Sequence, residues 1–419
     1  MTDAAFEKTY KLLAEYGQTH ILRYYDSLGS DRKEALLAQA NRIDYALVSR
    51  LYGIAKAGET SSNDVIEPIS YTDAETISEA KRREYIGAGE ACLKNGAFAA
   101  VTMAGGQGTR LGHSGPKGTY SIGLPGGESL FEIQAKRLLR QSEHSGKMIP
   151  WYIMTSREND AETRAFFEEH NYFGYDREAV SFFVQRMLPM IDFDGKIVLD
   201  EKWHIKEGAD GHGGIFAAMI DNGVYEDMCR RGIRWIFIGG IDNVLLKLCD
   251  PLLIGFTELS GQMTGAKSLV KRDAKEGVGV FCKADGKPYV IEYTEISDEM
   301  AEARDENGAF LYGDAHILCN IFNIAAIEKM TKEAGGLPYH VAVKKTKYVD
   351  ENGNIVTPEK PNAYKFEAFI FDAFRFFDDM AILRVKREDE FAPVKNKEGQ
   401  DSPETARALY LDAVSRNAD

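Results

Sequence analysis

The 419-residue sequence predicts an α/β protein built on a doubly wound, mostly parallel, Rossmann-like sheet. Two patterns predict it. Short apolar runs at residues 97–103, 150–155, 181–184, 234–238, 265–270, 278–282 and 289–293 alternate with segments of helical periodicity, the rhythm of right-handed βαβ units. The first run ends in a glycine-rich turn, Met103-Ala-Gly-Gly-Gln-Gly-Thr-Arg-Leu-Gly112, placed where such sheets bind ligands, beyond the carboxyl ends of the strands.

Taken in order, residues 1–95 read as an N-terminal helical flank. Phe6, Tyr10 and Leu13 recur at helical spacing, Asp31 with Glu34 and Thr72 with Glu75 form capping-box patterns, and Asn95-Gly96 is a stop signal. Residues 96–340 carry the sheet, with a helix opened by Ser129 and running to Ser142. Residues 341–419 read as a small C-terminal lobe, with Lys344, Lys345 and Lys347, a turn at Glu351-Asn352-Gly353 and an aromatic stretch from Phe366 to Phe377.

Composition removes several classes of function. Apolar residues at 44% and charged residues at 28% exclude collagen-like and wholly disordered chains. The 51 basic against 65 acidic residues leave a net charge of −14, which repels nucleic acid and anionic membranes, so neither is an expected partner. A polyanionic ligand therefore needs a local basic pocket. The start of the chain lacks a cationic flank before an apolar core, and no run of about 18 uncharged apolar residues occurs. The five cysteines, Cys92, Cys229, Cys249, Cys282 and Cys319, are scattered without a CxxC pair. A cytoplasmic protein without a disulfide framework is the expectation.

The glycines of the turn let backbone amides approach a phosphate closely. Gly106, Gly108 and Gly112 give G-x-G-x-x-x-G, one residue too long for the dinucleotide fingerprint, which disfavours a nicotinamide dehydrogenase. Lys117 follows Pro116, so the Gly-Lys-Ser/Thr of a P-loop is also missing. A tight turn alone would explain two glycines but not Arg110 and Lys117 seven residues apart, which suit a polyphosphate, because phosphoryl chemistry is mostly positioning and electrostatic stabilisation. Asp242, just past the apolar run ending at Ile238, suits either a helix N-cap or Mg2+, which takes few protein ligands and shares its shell with phosphates and water.

The segment Met103-AGGQGTRLGHSGPKGTYSIGLP-Gly126 resembles the signature of the eukaryotic-type UDP-sugar pyrophosphorylases, most closely the UDP-N-acetylhexosamine pyrophosphorylases. The resemblance continues in order through Met187-LP-Met190, Phe193-DGKI-Val198, Asp210-Gly-His-Gly-Gly214, Gly240-IDNVLLKLCDPLLIG-Phe256, Val278-GVFC-Lys283, Val290-IEYTEI-Ser297, Tyr364-KFEAFIF-Asp372 and Arg387-EDEFAPVK-Asn396. It implies a nucleotidyltransferase fold and a Mg2+-dependent uridylyltransferase that joins UTP to a sugar 1-phosphate and releases pyrophosphate. N-acetylhexosamine 1-phosphate is the first acceptor it suggests, with glucose or galactose 1-phosphate as the alternative. A non-catalytic UDP-sugar sensor on the same fold is a further alternative, disfavoured by the presence of Arg110, Lys117 and Asp242.

The residue roles follow from the same resemblance. Arg110, Lys117 and Lys395 are implied to neutralise phosphates, Gly105, Gly106, Gly108 and Thr109 to form their cradle, and Asp242 to hold the metal. Gln185 and Gly211 are implied to read uracil, and His212 stands where the family carries asparagine. Gly279 and Glu292 are implied to hold sugar hydroxyls, with Phe369 and Phe371 as an aromatic wall. Where acetamido-binding members read Asn-Ala-Gly-Asn-Ile-Ala-Asn, this chain reads Asp314-Ala-His-Ile-Leu-Cys-Asn320. Ile317, or His316 with a one-residue shift, takes the place of the sugar-contacting asparagine.

Overall fold

The computed structural model describes residues 2–58, 64–333 and 336–416. They form two compact units, each assembled from non-adjacent segments. The larger comprises Asp64–Gln185, Ile215–Leu337 and Ile370–Asp419.

An eleven-stranded sheet forms the larger unit: β1 Ile66–Glu67, β2 Thr72–Asp73, β3 Phe98–Met103, β4 Trp151–Thr155, β5 Val180–Val184, β6 Trp235–Gly240, β7 Thr264–Val270, β8 Val280–Ala284, β9 Lys287–Ile291, β10 Asp314–Asn323 and β11 Ala381–Arg384. Its main order is β2-β11-β7-β10-β6-β3-β4-β5, with β8 pairing with β1, β9 and β10. Strands β6, β3, β4 and β5 run parallel, as do β2, β11 and β7, and β10 lies antiparallel between the two sets. The long central strands are buried on both faces, which is why β6 reads as a continuous apolar run without alternation.

From β3 the chain steps outward to β4 and β5, then returns to the opposite side of β3 as β6. That reversal leaves a crevice between the carboxyl ends of β3 and β6, the position where open α/β sheets bind ligands. The helix Leu130–Ser145 makes the crossover from β3 to β4, and the hydroxyl of its N-cap Ser129 accepts from Glu132 N.

Several expectations are corrected by the neighbours of the residues concerned. Thr72 does not cap a helix; it lies in β2, and the next helix, Glu79–Lys94, is capped by Ser78, which accepts from Lys81 N. That helix stops at Asn95-Gly96 as expected, with Gly96 at φ 66°. Asp31 lies within the first turn of Ser30–Arg42 and supplies no cap. β10 has no counterpart among the expected apolar runs, because His316 and Asn320 interrupt its pattern.

The compact units do not follow contiguous divisions at residues 95 and 340. Residues 79–94 belong to the sheet unit because their helix crosses Pro251–Leu259 with backbones in contact. A Cβ on Gly89 would lie 2.0 Å from Pro251 O, and one on Gly255 only 1.8 Å from Tyr85 O. The C-terminal region divides at Phe369, since β11 and the helix Pro403–Arg416 belong to the sheet unit. The expected outer limits, Met1 and residues 417–419, lie outside the described residues.

The smaller unit comprises Met1–Asn63, Arg186–Gly214 and Pro338–Phe369. Leu13, Ile21 and Leu36 pack with Ile191, Ile197, Ile205 and Phe366 in its core. Two buried glutamines join its segments by acting as strand partners. Gln18 donates to Gly195 O and accepts from Ile197 N, while Gln39 donates to Ile205 O and accepts from Ile205 N.

Candidate active site

Past β3 the glycine-rich turn folds back on itself. Gly108 N donates to Gly115 O at 3.0 Å, and Lys117 N donates to Gly106 O at 3.1 Å. Thr109–Leu111 form a single 3-10 turn carrying the exposed Arg110, closed by left-handed Gly112. Gly118 packs directly on the Phe131 ring, 2.1 Å from where its Cβ would be, which seats Lys117 against the sheet. The Lys117 ammonium then lies 3.4 Å from Asp242 Oδ2, with their side chains 12% and 29% exposed. This pair spans the crevice, one partner following β3 and the other β6.

Gln185, at the end of β5, reaches the same turn: its Oε1 lies 2.7 Å from where a Cβ on Gly105 would stand. Asp242 O accepts from Val394 N at 2.8 Å, which places Lys395 next along the chain. Lys395 is part-buried, with its ammonium 5.9 Å from the centre of the Phe391 ring. Arg110, Lys117, Asp242, Lys395, Gly105, Gly106, Gly108, Thr109 and Gln185 thus all belong to the larger unit.

A second group stands at a bulge in β10. The pairing with β7 shifts register between Ala266 and Ser268, and Leu318 adopts φ 52°. The bulge places His316 beside Gly279, with His316 N donating to Gly279 O at 2.9 Å, and Glu292 Oε1 lies 3.3 Å from a would-be Cβ on Gly279. Rings of Phe281, Phe371 and Phe374 surround the imidazole. Burial pushes the His316 pKa down to about 4, against the opposing effect of its 2.9 Å bond with Asn320 Oδ1. In the neutral ring Nε2 donates to that oxygen, leaving Nδ1 as an acceptor. Ile317 instead joins the main apolar cluster, so of these two residues it is His316 that brings a polar side chain beside Gly279.

Gly211, His212 and Phe369 fall in the smaller unit. Gly211 requires glycine, since φ is 86° and a Cβ would lie 2.3 Å from Ala368 O. Gly213 N donates to Ala368 O, and Ala368 N to Asp210 O, which ties the Asp210–Gly214 turn to Phe369. The His212 and Phe369 rings lie 5.3 Å apart.

Three buried polar residues carry no local motif, Gln134 and Asn159 under the crevice and Asn320 in β10. Gln134 accepts from Thr102 Oγ1 at 2.8 Å and donates to Gly240 O at 3.1 Å, linking the ends of β3 and β6. Asn159 donates to Ala104 O and Gly106 O, pinning the glycine turn. Among the described residues Asn320 Nδ2 is buried without a partner. Gln134 and Asn320 interrupt otherwise apolar faces, whereas Asn159 sits in the polar run 157–160 and gives no such signal.

A family model described as UTP–glucose-1-phosphate uridylyltransferase matches residues 49–401. The chain belongs to that family. Within the uridylyltransferase family it is 40% identical to the human UDP-N-acetylhexosamine pyrophosphorylase-like protein 1, over 95% of this chain and 82% of that one. It is 38% identical to the UDP-N-acetylglucosamine pyrophosphorylase of Saccharomyces cerevisiae, over 96% and 89% of the two chains. The crystal structure of the uridine diphosphate N-acetylglucosamine pyrophosphorylase from Trypanosoma brucei in complex with inhibitor superposes with a TM-score of 0.85 at 30% identity, covering 98% of this chain and 85% of that one. Among the described residues no helix is long and apolar enough to cross a membrane.

The donor set suits Mg2+. Among the described residues no cluster of three or more His, Cys, Asp or Glu could hold a metal alone. Asp242 offers a single hard carboxylate beside Lys117, the donor set of an ion that completes its shell with phosphates and water. Zinc or calcium would call for more protein ligands.

Proposed function

We propose that the chain joins UTP to a sugar 1-phosphate, releasing pyrophosphate and a UDP-sugar, and that N-acetylhexosamine 1-phosphate is its preferred acceptor. The observation that carries the reaction is Lys117 facing Asp242 across the ends of β3 and β6 at 3.4 Å, with Lys395 tethered to Asp242 through Val394. Two anions must meet inside a protein of net charge −14, and Lys117 and Lys395 supply local positive charge there.

An oxygen of the sugar phosphate attacks the α-phosphorus in line, and pyrophosphate leaves from the opposite side. No covalent enzyme intermediate is required. Lys117 and Lys395 neutralise charge at the α-phosphorus and the attacking phosphate, and Arg110 takes the β- and γ-phosphates and the departing pyrophosphate. Asp242 is the residue that would hold Mg2+. When bound, the ion supplies positive charge shared with the nucleotide phosphates. The Gln185 amide, beside Gly105, suits the imide edge of uracil.

The acceptor preference rests on the bulge in β10. His316 Nδ1 accepts and Asn320 Nδ2 donates, the complement of an acetamido N–H and C=O. The names of the relatives support the same acceptor. Pyrophosphate release, followed with UTP and a panel of sugar 1-phosphates, tests both parts. N-acetylglucosamine 1-phosphate is expected to lead. Release with no sugar overturns the reaction, and glucose 1-phosphate favoured tenfold or more overturns the acceptor. EDTA should abolish release and Mg2+ restore it, with Asp242→Asn needing more Mg2+ than the wild type.

A further inference from the structure

The segment that delivers Lys395 is long and mostly irregular, yet its position relative to Asp242 is over-determined. Five hydrogen bonds involve the stretch from Asp242 to Leu245 and its meeting with Glu390 to Val394. Asn243 Nδ2 donates to Glu390 O at 2.7 Å, and Asn243 Oδ1 accepts from Ala392 N at 2.9 Å and from Leu245 N at 3.1 Å. Val394 N donates to Asp242 O at 2.8 Å, and Val244 N to Ala392 O at 3.1 Å. The amide is 5% exposed, so water does not compete for these bonds.

The root of the segment is anchored as firmly. Lys267, wholly buried on β7, places its ammonium 2.7 Å from Glu390 Oε1 and 2.5 Å from Asp250 Oδ2. Lys247 meets the same Glu390 oxygen at 2.8 Å. Glu390 is thus held by its side chain to the sheet and by its carbonyl to Asn243, and Lys395 follows five residues later. Asn243 could have been spent as a simple turn cap. Its bond to Leu245 is of that kind, but the other two reach 147 and 149 residues along the chain.

We propose that Asn243 is a positioning residue that sets Lys395 in register with Asp242, so that the cation of the C-terminal segment and the carboxylate of β6 act as one unit. The inference rests on the uridylyltransferase reading. Loss of the amide would free the Lys395 segment by a fraction of an ångström to about an ångström, a displacement that costs on the order of a hundredfold in rate when a charged group must meet a transition state.

A double-mutant cycle tests it. The wild type, Asn243→Ala, Lys395→Ala and the double variant are compared for kcat, for KM of both substrates, and for melting temperature. Asn243→Ser is run alongside, because its shorter hydroxyl can serve Leu245 N but cannot reach Glu390 O. Asn243→Ala and Asn243→Ser are expected to lose on the order of tenfold to a hundredfold in kcat, with KM for UTP within about twofold. On the Lys395→Ala background Asn243→Ala should cost less than about twofold more, because the two act through one group. Losses that multiply in the double variant, or an Asn243→Ser variant with wild-type kcat, overturn the positioning role. Variants that do not fold at all assign Asn243 to stability alone and overturn it equally. A wild type inert toward UTP with every sugar 1-phosphate overturns the uridylyltransferase reading itself.

Discussion

On the proposed function, the crevice between β3 and β6 and the bulge in β10 would meet opposite recognition problems. At the crevice the polar groups are backbone amides of a folded-back turn and cations that remain partly wet: Arg110 is exposed and the Lys117 side chain is 12% exposed. At the bulge they are the part-buried, neutral imidazole of His316, ringed by Phe281, Phe371 and Phe374, and the fully buried carboxamide of Asn320. Charged phosphates need strong fields more than exact shape, and Lys or Arg stays protonated in partial contact with water. A neutral group on a sugar is told apart best when its unmatched partner would be left buried, and at the bulge that partner is the fully buried Asn320 amide. Burial also strips His316 of its charge. If the proposed function holds, the difference teaches that one sheet could carry an anion end tuned by electrostatics and an acceptor wall tuned by unsatisfied hydrogen bonds.

The sharpest break of this comparison lies at its charged end. Lys117→Ala removes the cation facing Asp242 and leaves that carboxylate near incoming phosphates, and kcat should fall about a hundredfold to a thousandfold. Arg110→Ala, at an exposed position, should cost less. Circular dichroism of both variants should match the wild type, since the turn is held by Gly106, Gly115 and Asn159. Near wild-type turnover from folded Lys117→Ala would remove the crevice from the chemistry.

Much of this charged end was readable in the chain. The apolar run at 97–103, the glycines after it and Lys117 are local features, and local features survive as strand, turn and cation. Asp242 was readable as a residue past a strand end but not as the partner of Lys117, because that contact joins positions 125 apart. Gln134 and Asn159 were invisible for the same reason: their bonds go to distant backbone carbonyls. The acceptor wall was less readable still. β10 breaks its apolar pattern at His316 and Asn320, and an alignment without a gap puts Ile317 where the resemblance implies a sugar contact. Only the bulge, with Leu318 in a left-handed conformation, shows that Ile317 enters the core while His316 stands beside Gly279.

The next largest effect concerns the bulge and is read by pH. Unfolded histidine titrates near 6.5, whereas burial holds His316 to about 4. Between these values the unfolded chain binds a proton that the folded chain refuses. The stability contributed by a neutral His316 is therefore complete above about pH 6.5 and is lost as pH falls toward 4, by up to about 3 kcal/mol. Denaturant melts of the wild type and His316→Phe, compared between pH 7 and pH 4.5, isolate this share from carboxylates common to both. Parallel pH dependence in the two proteins would mean that His316 titrates alike in the folded and unfolded chains and would undo the contrast between the ends.

The smallest effect is the most specific. If the His316–Asn320 pair reads an acetamido group, removing it should weaken N-acetylglucosamine 1-phosphate more than glucose 1-phosphate, whose 2-hydroxyl asks less of the wall. His316→Ala deletes the Nδ1 acceptor and also frees Asn320, so kcat/KM for the acetamido sugar should fall by about 1 to 2 kcal/mol more than for glucose 1-phosphate, roughly fivefold to thirtyfold. The comparison of two sugars on one variant matters because a cavity left in the aromatic cage would depress both equally. Asn320→Ala supplies the complementary measurement, since it removes the Nδ2 donor while leaving the imidazole in its cage. Equal losses for both sugars in both variants would make the pair a packing feature of β10, and the choice of acceptor would then lie with Gly279 and Glu292 at its side.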